Sequence, residues 1–103
     1  MYLVARLELS YAGVMEFMTV APKVREKMEA RGCKMLHAMF QQVERLNTVI
    51  HIWDVPDANT YFAAVEALKT DPDFPEILSI LARSVVDETL TLATDAPYAP
   101  VRS

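Results

Sequence analysis

The sequence predicts an α+β protein of ferredoxin-like kind, with elements ordered β-α-β-β-α-β around a four-stranded antiparallel sheet. Three observations carry this prediction. Apolar and polar residues alternate near both ends and in two closely spaced middle segments, which is the period of a half-buried strand. Between them, apolar residues recur at steps of three and four, the period of an amphipathic helix. At 103 residues the chain fits one domain with one core.

In β1, residues 2–9, Leu3, Ala5, Leu7 and Leu9 point one way while Tyr2, Val4, Arg6 and Glu8 point the other. From Val14 the spacing turns helical, with Phe17, Met18, Ala21, Val24 and Met28 on one stripe and Gly32 closing the helix. Pro22 removes a backbone donor inside this stretch, which predicts a single kinked helix. Residues 33–42 and 47–55 both favour extended structure, are separated by a polar turn, and read as a hairpin. Asp57 is placed to cap the next helix, whose apolar stripe is Tyr61, Phe62, Val65 and Leu68. Asp71 and Pro72 restart a helix that buries Phe74, Ile77, Leu78 and Leu81, since proline suits the first helical turn. The last strand lies within residues 84–93 and puts Val86, Glu88, Leu90 and Leu92 on one face. Residues 1–94 therefore form a single domain, and the proline-containing residues 95–103 form an irregular tail.

Right-handed crossovers put the first and third strands at the sheet centre and both helical units on one face. The other face carries Tyr2, Val4 and either the Ile50 or the Trp53 set, and needs a cover. A second copy of the chain, sheet against sheet, supplies one, which predicts a homodimer in the form of a dimeric α+β barrel. The net charge of −4 and the lack of a basic cluster argue against nucleic acid, whose affinity rests mostly on cations. No apolar stretch approaches the roughly 20 residues that span a bilayer, and the first residues carry no basic start or cleavage site. A cytoplasmic protein is expected, and a single cysteine, Cys33, fits a reducing compartment as a small apolar filler.

Several pieces of the sequence resemble the NIPSNAP family, a branch of the dimeric α+β barrel superfamily. They are "GVMEF" at residues 13–17, the helix proline Pro22, "RGCK" at 31–34, "LNTVIHIWDV" at 46–55 and "DPDF" at 71–74. The specific part of the resemblance is the LN-x-V-x-H-x-W piece followed at this distance by a DP-x-aromatic step. Two departures stand out: "YFAAVEAL" lacks the arginines many relatives carry before the Ala-Leu step, and Cys33 stands where a second glycine is common. The resemblance implies the fold and dimerisation. The wider superfamily includes cofactor-free oxygenases, isomerases, dehydratases and haem-degrading enzymes, so shape does not choose a reaction.

The residues able to carry chemistry are few. His51 shares a strand face with Val49, Trp53 and Val55, either as a hydrogen-bonded core residue or as a proton-transfer group near neutral pH. His37 on the neighbouring strand joins it only if the hairpin loop holds an odd number of residues. Arg6 and Glu88 lie on strands expected to be neighbours and covered on both sides, which suggests either an ion pair of Arg6 with Glu8 or Glu88 or, for Glu88, a general base. Trp53, Phe40, Tyr61 and Phe62 would line any space left between sheet and helices, and such a space would take a small hydrophobic ligand, with His37 and Arg6 as its polar contacts. Two histidines without a carboxylate or thiolate set at ligand spacing predict no metal. With no glycine-rich phosphate loop or nucleophile elbow, no cofactor is expected either. Three readings follow: a small-molecule binder, a cofactor-independent enzyme using His51 or Glu88, and a structural or interaction protein with a filled core. Haem handling is a further option, with a pocket histidine as axial ligand.

Overall fold

The computed structural model describes residues 1–101. Its elements are β1 (Tyr2–Leu9), α1 (Val14–Glu29), β2 (Lys34–Phe40), β3 (Thr48–Asp54), α2 (Ala58–Lys69), α3 (Phe74–Ser84) and β4 (Val85–Ala93), with a short 3-10 turn at Tyr11–Gly13 leading into α1. The strands form one antiparallel sheet in the order β2-β3-β1-β4, so the first and third strands are central, as the crossover rule requires. Leu3, Ala5, Leu7 and Leu9 of β1 are all buried and meet Phe17, Met28 and Ala64 from the helices in one core. Among the described residues, no helix is long and apolar enough to cross a membrane.

Local chemistry fixes where each helix starts. The Ser10 hydroxyl accepts the Gly13 N–H at 3.0 Å and so turns the chain out of β1. Gly13 is required there by proximity, since a β-carbon would lie 2.5 Å from Ser84 Cα at the end of α3. The Ser10 N–H also donates to the Ser84 carbonyl at 2.8 Å, which ties the β1–α1 turn to the α3–β4 junction. α1 runs unbroken through Pro22. It ends at Gly32, whose φ of +92° is a left-handed conformation that glycine adopts at little cost. Asp57 caps α2 as expected, accepting the Thr60 N–H at 2.7 Å. The third helix starts later than Asp71 and Pro72 suggested. Both Asp71 carboxylate oxygens are engaged by Lys27 Nζ at 2.9 Å, and one also accepts the Asp73 N–H at 2.8 Å, so α3 begins at Phe74 with Pro75 in its first turn. After β4 the chain is irregular to residue 101, and the end of the expected tail, Arg102 and Ser103, lies outside the described residues.

The register of the hairpin decides which histidine faces the helices. Phe40 lies opposite Val49, Ala38 opposite His51, and His37 opposite Ile52. The even number of residues between Phe40 and Val49 puts His37 and His51 on opposite faces. A bulge at Leu36 then restores Met35 to the helix side, opposite Trp53.

Candidate functional site

His51 sits at the middle of β3, paired with Ala5 on β1 and Ala38 on β2. Both neighbours are small, so the sheet is low on either side of the imidazole and cannot fill the space beneath the helices. The ring is held instead from above and along the strand. Phe17 of α1 stacks on it with centroids 6.2 Å apart and planes at 24°, and Trp53 meets it edge-on at 6.4 Å and 85°. Burial among these rings pushes the His51 pKa below its ordinary value of 6.5, so the imidazole is neutral at pH 7. A neutral imidazole has one donor and one acceptor nitrogen. Among the described residues neither has a protein partner, and neither is sealed from the surrounding space.

Two cavities meet at this ring. One, of about 300 Å³, lies under α2 and α3 and is lined by Trp53, Tyr61, Leu78 and Glu88. The other, of about 290 Å³, opens along β2 and is lined by Met18, Ala38 and Phe40. Phe17, Ala21, Met35 and His51 border both. Ala21 on α1 lines both cavities, Ala5 on β1 the first and Ala38 on β2 the second, and these alanines leave space that larger side chains would occupy.

Glu88 closes the far side of the first cavity. It lies opposite Leu7 on β1, whereas His51 lies opposite Ala5, so β1 separates the two by two strand spacings, about 10 Å. They flank a common space and do not bond to one another. Desolvation raises the Glu88 pKa above the ordinary carboxylate value. Burial first, then the charge of Glu88 and the thiol of Cys33, push the Tyr61 hydroxyl up to about 12, so it remains a proton donor. The site thus presents a neutral imidazole and a protonated phenol on an apolar lining, with a carboxyl of raised pKa at its solvent-exposed edge.

Three of the residues expected at this site lie elsewhere. His37 is exposed on the other sheet face, beside Tyr2, Val4 and Ile52, because of the hairpin parity described above. Arg6 is on that same face, hydrogen-bonded to Gln41 in a polar hollow with Glu8 and Arg45, so it neither touches the cavity nor pairs with Glu88; Glu8 is bound by Arg45 at 2.6 Å. Phe62 is 54% exposed, because α2 turns Tyr61, Ala64 and Val65 inward and leaves Phe62 against Tyr61 on the outer side. Trp53, Tyr61 and Glu88 line the cavity under α2 and α3, Phe40 lines the one along β2, and His51 borders both. The residues the sequence did not announce are Phe17, as a ring stacked on His51, and the alanines that create the space; one small residue in the otherwise leucine-rich face of β1 was the available signal. Among the described residues, no group of three His, Cys, Asp or Glu side chains could hold a metal.

Comparison with known proteins places this geometry. No curated protein matches the chain. Among solved structures, the chain is similar to an uncharacterized NIPSNAP domain protein from Burkholderia xenovorans, at 18% identity and a TM-score of 0.76 over 98% of this chain and 100% of that one. It is similar to a NIPSNAP family protein of unknown function from Agrobacterium tumefaciens, at 15% identity and a TM-score of 0.80 over 98% and 92%. It also resembles a putative antibiotic biosynthesis monooxygenase from Nitrosomonas europaea, at 5% identity and a TM-score of 0.70 over 96% and 92%. At such identities the likeness speaks for the fold alone. The NIPSNAP family profile matches residues 2–100, which, with the ferredoxin-like sheet and the His-Trp strand at its centre, makes this chain a member of the NIPSNAP family, in the fold of the dimeric α+β barrels.

Proposed function

We propose that the protein is a cytoplasmic homodimer that holds a small hydrophobic molecule between its sheet and its helices, with His51 as the polar contact. The observation that carries this reading is a neutral imidazole without a protein partner at the junction of two apolar cavities. A polar group left unpaired in an apolar interior costs free energy, and a ligand hydroxyl or carbonyl would recover it. The cavity volume lies at the small end of the range for organic ligands, which favours a molecule smaller than a porphyrin. Dimerisation is supported by the sheet face away from the helices, where Tyr2, Val4, Ile50 and Ile52 are only half-buried in the single chain.

A second reading, catalysis without a cofactor, is favoured by Glu88. Its carboxyl has a raised pKa and no ion-pair partner among the described residues, and it faces His51 across the same space. That is an arrangement for moving a proton on a bound molecule in an oxygenase-, isomerase- or dehydratase-type reaction. Binding comes first in either case. The neutral fluorophore N-phenyl-1-naphthylamine should brighten on the wild-type protein and saturate near one molecule per chain. Ala5→Leu, which fills the floor of the cavity, should abolish the signal with the circular dichroism unchanged. A wild-type protein that does not brighten the dye, or a folded Ala5→Leu that brightens it as well, removes the reading and leaves the filled-core interaction protein in its place.

A further inference from the structure

The cavity along β2 differs from its neighbour in charge. Its walls are apolar from His51 outward, with the thioethers of Met18 and Met35 as adaptable surfaces. A single charged side chain, Arg25, stands on its rim. Arg25 belongs to the same helical stripe as Met18, Ala21 and Pro22, at steps of three and four, which places it on the cavity side of α1. Its Nε donates to Glu29 Oε1 at 3.2 Å. Glu29 is itself fixed by the Met35 N–H, which donates to Oε2 at 3.2 Å. This arrangement holds the guanidinium by one edge and leaves its two terminal amino groups, the fork that fits a carboxylate, without a partner among the described residues. At the mouth, Phe40 is 46% exposed, which marks the way in.

We infer that the ligand is an amphipathic monocarboxylate whose anionic end binds Arg25 and whose apolar body runs inward past Phe17 to His51. This rests on the cavity being a binding site, and it adds the ligand's charge, polarity and direction. The length is set by α1. From Phe17, which stacks on His51, to Arg25 is eight residues of helix, about 12 Å. The inner cavity offers no such fork: the Lys69 ammonium on its lining is bound to Glu66 at 2.9 Å, and Glu88 adds a carboxyl there.

The test is displacement of N-phenyl-1-naphthylamine by decanoate and by 1-decanol, two molecules of equal length that differ in the charged end. Decanoate should displace the dye at a concentration roughly tenfold lower than 1-decanol, the size of one partly exposed charge-assisted contact. In Arg25→Gln, which keeps the length of the stem, the two should become equivalent while the dye still binds. Equal displacement by both compounds on the wild-type protein, or a preference that survives Arg25→Gln, overturns the inference and leaves the binding cavity standing. Loss of the preference in Lys69→Gln and not in Arg25→Gln means that the molecule lies the other way round, and overturns it too. If the dye itself does not bind, the cavity reading fails, and this inference fails with it.

Discussion

His51 illustrates how one side chain takes its properties from its neighbours. The residue is the same whether exposed or enclosed, but between the Phe17 and Trp53 rings its charged form is disfavoured. The consequence for stability has a definite sign. The unfolded chain binds a proton at His51 near pH 6.5, while the folded chain binds it only at lower pH, so the folded state loses ground as the pH falls below 6.5. One such group contributes at most about 1.4 kcal/mol per pH unit. Glu88 acts in the opposite direction, because its raised pKa makes the folded state take up a proton more readily as the pH falls toward the carboxylate range. The lowered carboxyls of Glu16, Asp57 and Asp71, held by Arg83, Thr60 and Lys27, lose their contributions at lower pH still, through and below their ordinary values of 4.5 and 3.8. His51→Gln should therefore lose less stability between pH 7 and pH 5.5 than the wild type in urea titrations. Parallel losses in the two proteins would mean that His51 is not buried neutral.

At the scale of elements, the alternation in β1 and the spacing in α1 were legible because each is enforced by a single periodic requirement, one face in and one face out. The faces of β2 were not, because they depend on loop parity and on a bulge at Leu36 that no residue type announces. In α2 the pair Tyr61-Phe62 gave two adjacent aromatics, and only the packing of the helix on the sheet could turn one in and one out. The junction of β1, α1 and α3 makes the sharpest prediction about an element. At Gly13 the added β-carbon of alanine would meet backbone, Ser84 Cα at 2.5 Å, which no rotamer change relieves. Gly13→Ala should cost about 1–3 kcal/mol, the usual size of overpacking. Thermal unfolding with a midpoint unchanged by Gly13→Ala would show that the β1 turn and the end of α3 are not in contact.

For the whole molecule, the decisive feature is the sheet face away from the helices, where Tyr2, Val4, Ile50 and Ile52 are only half-buried in a single chain. Arg6, Glu8, Arg45 and Asp87 lie at one end of the same face and give it a polar border. If a second copy covers it, Ile50→Glu places a carboxylate in an apolar contact and should convert a dimer to a single chain by sedimentation at low micromolar concentration, with the fold retained. A wild-type protein that already sediments as one chain would remove the dimer. The two cavities lie on the opposite face, so the same variant should brighten the fluorophore as the wild type does.

The sequence by itself determined the order of elements, the sheet with β1 and β3 at its centre, the buried side of β1 and the placing of His51 with Trp53, because each follows from local periodicity and from the handedness of chain crossovers. Only the tertiary structure decided that His37 and Arg6 turn away, that Phe17 lies on His51, and that Arg25 stands at the mouth of the space. Those outcomes depend on hairpin parity, on the rotation of each helix about its axis and on the shapes of small residues meeting across a gap. All three are fixed by the packing of distant parts of the chain against one another, which no local pattern encodes.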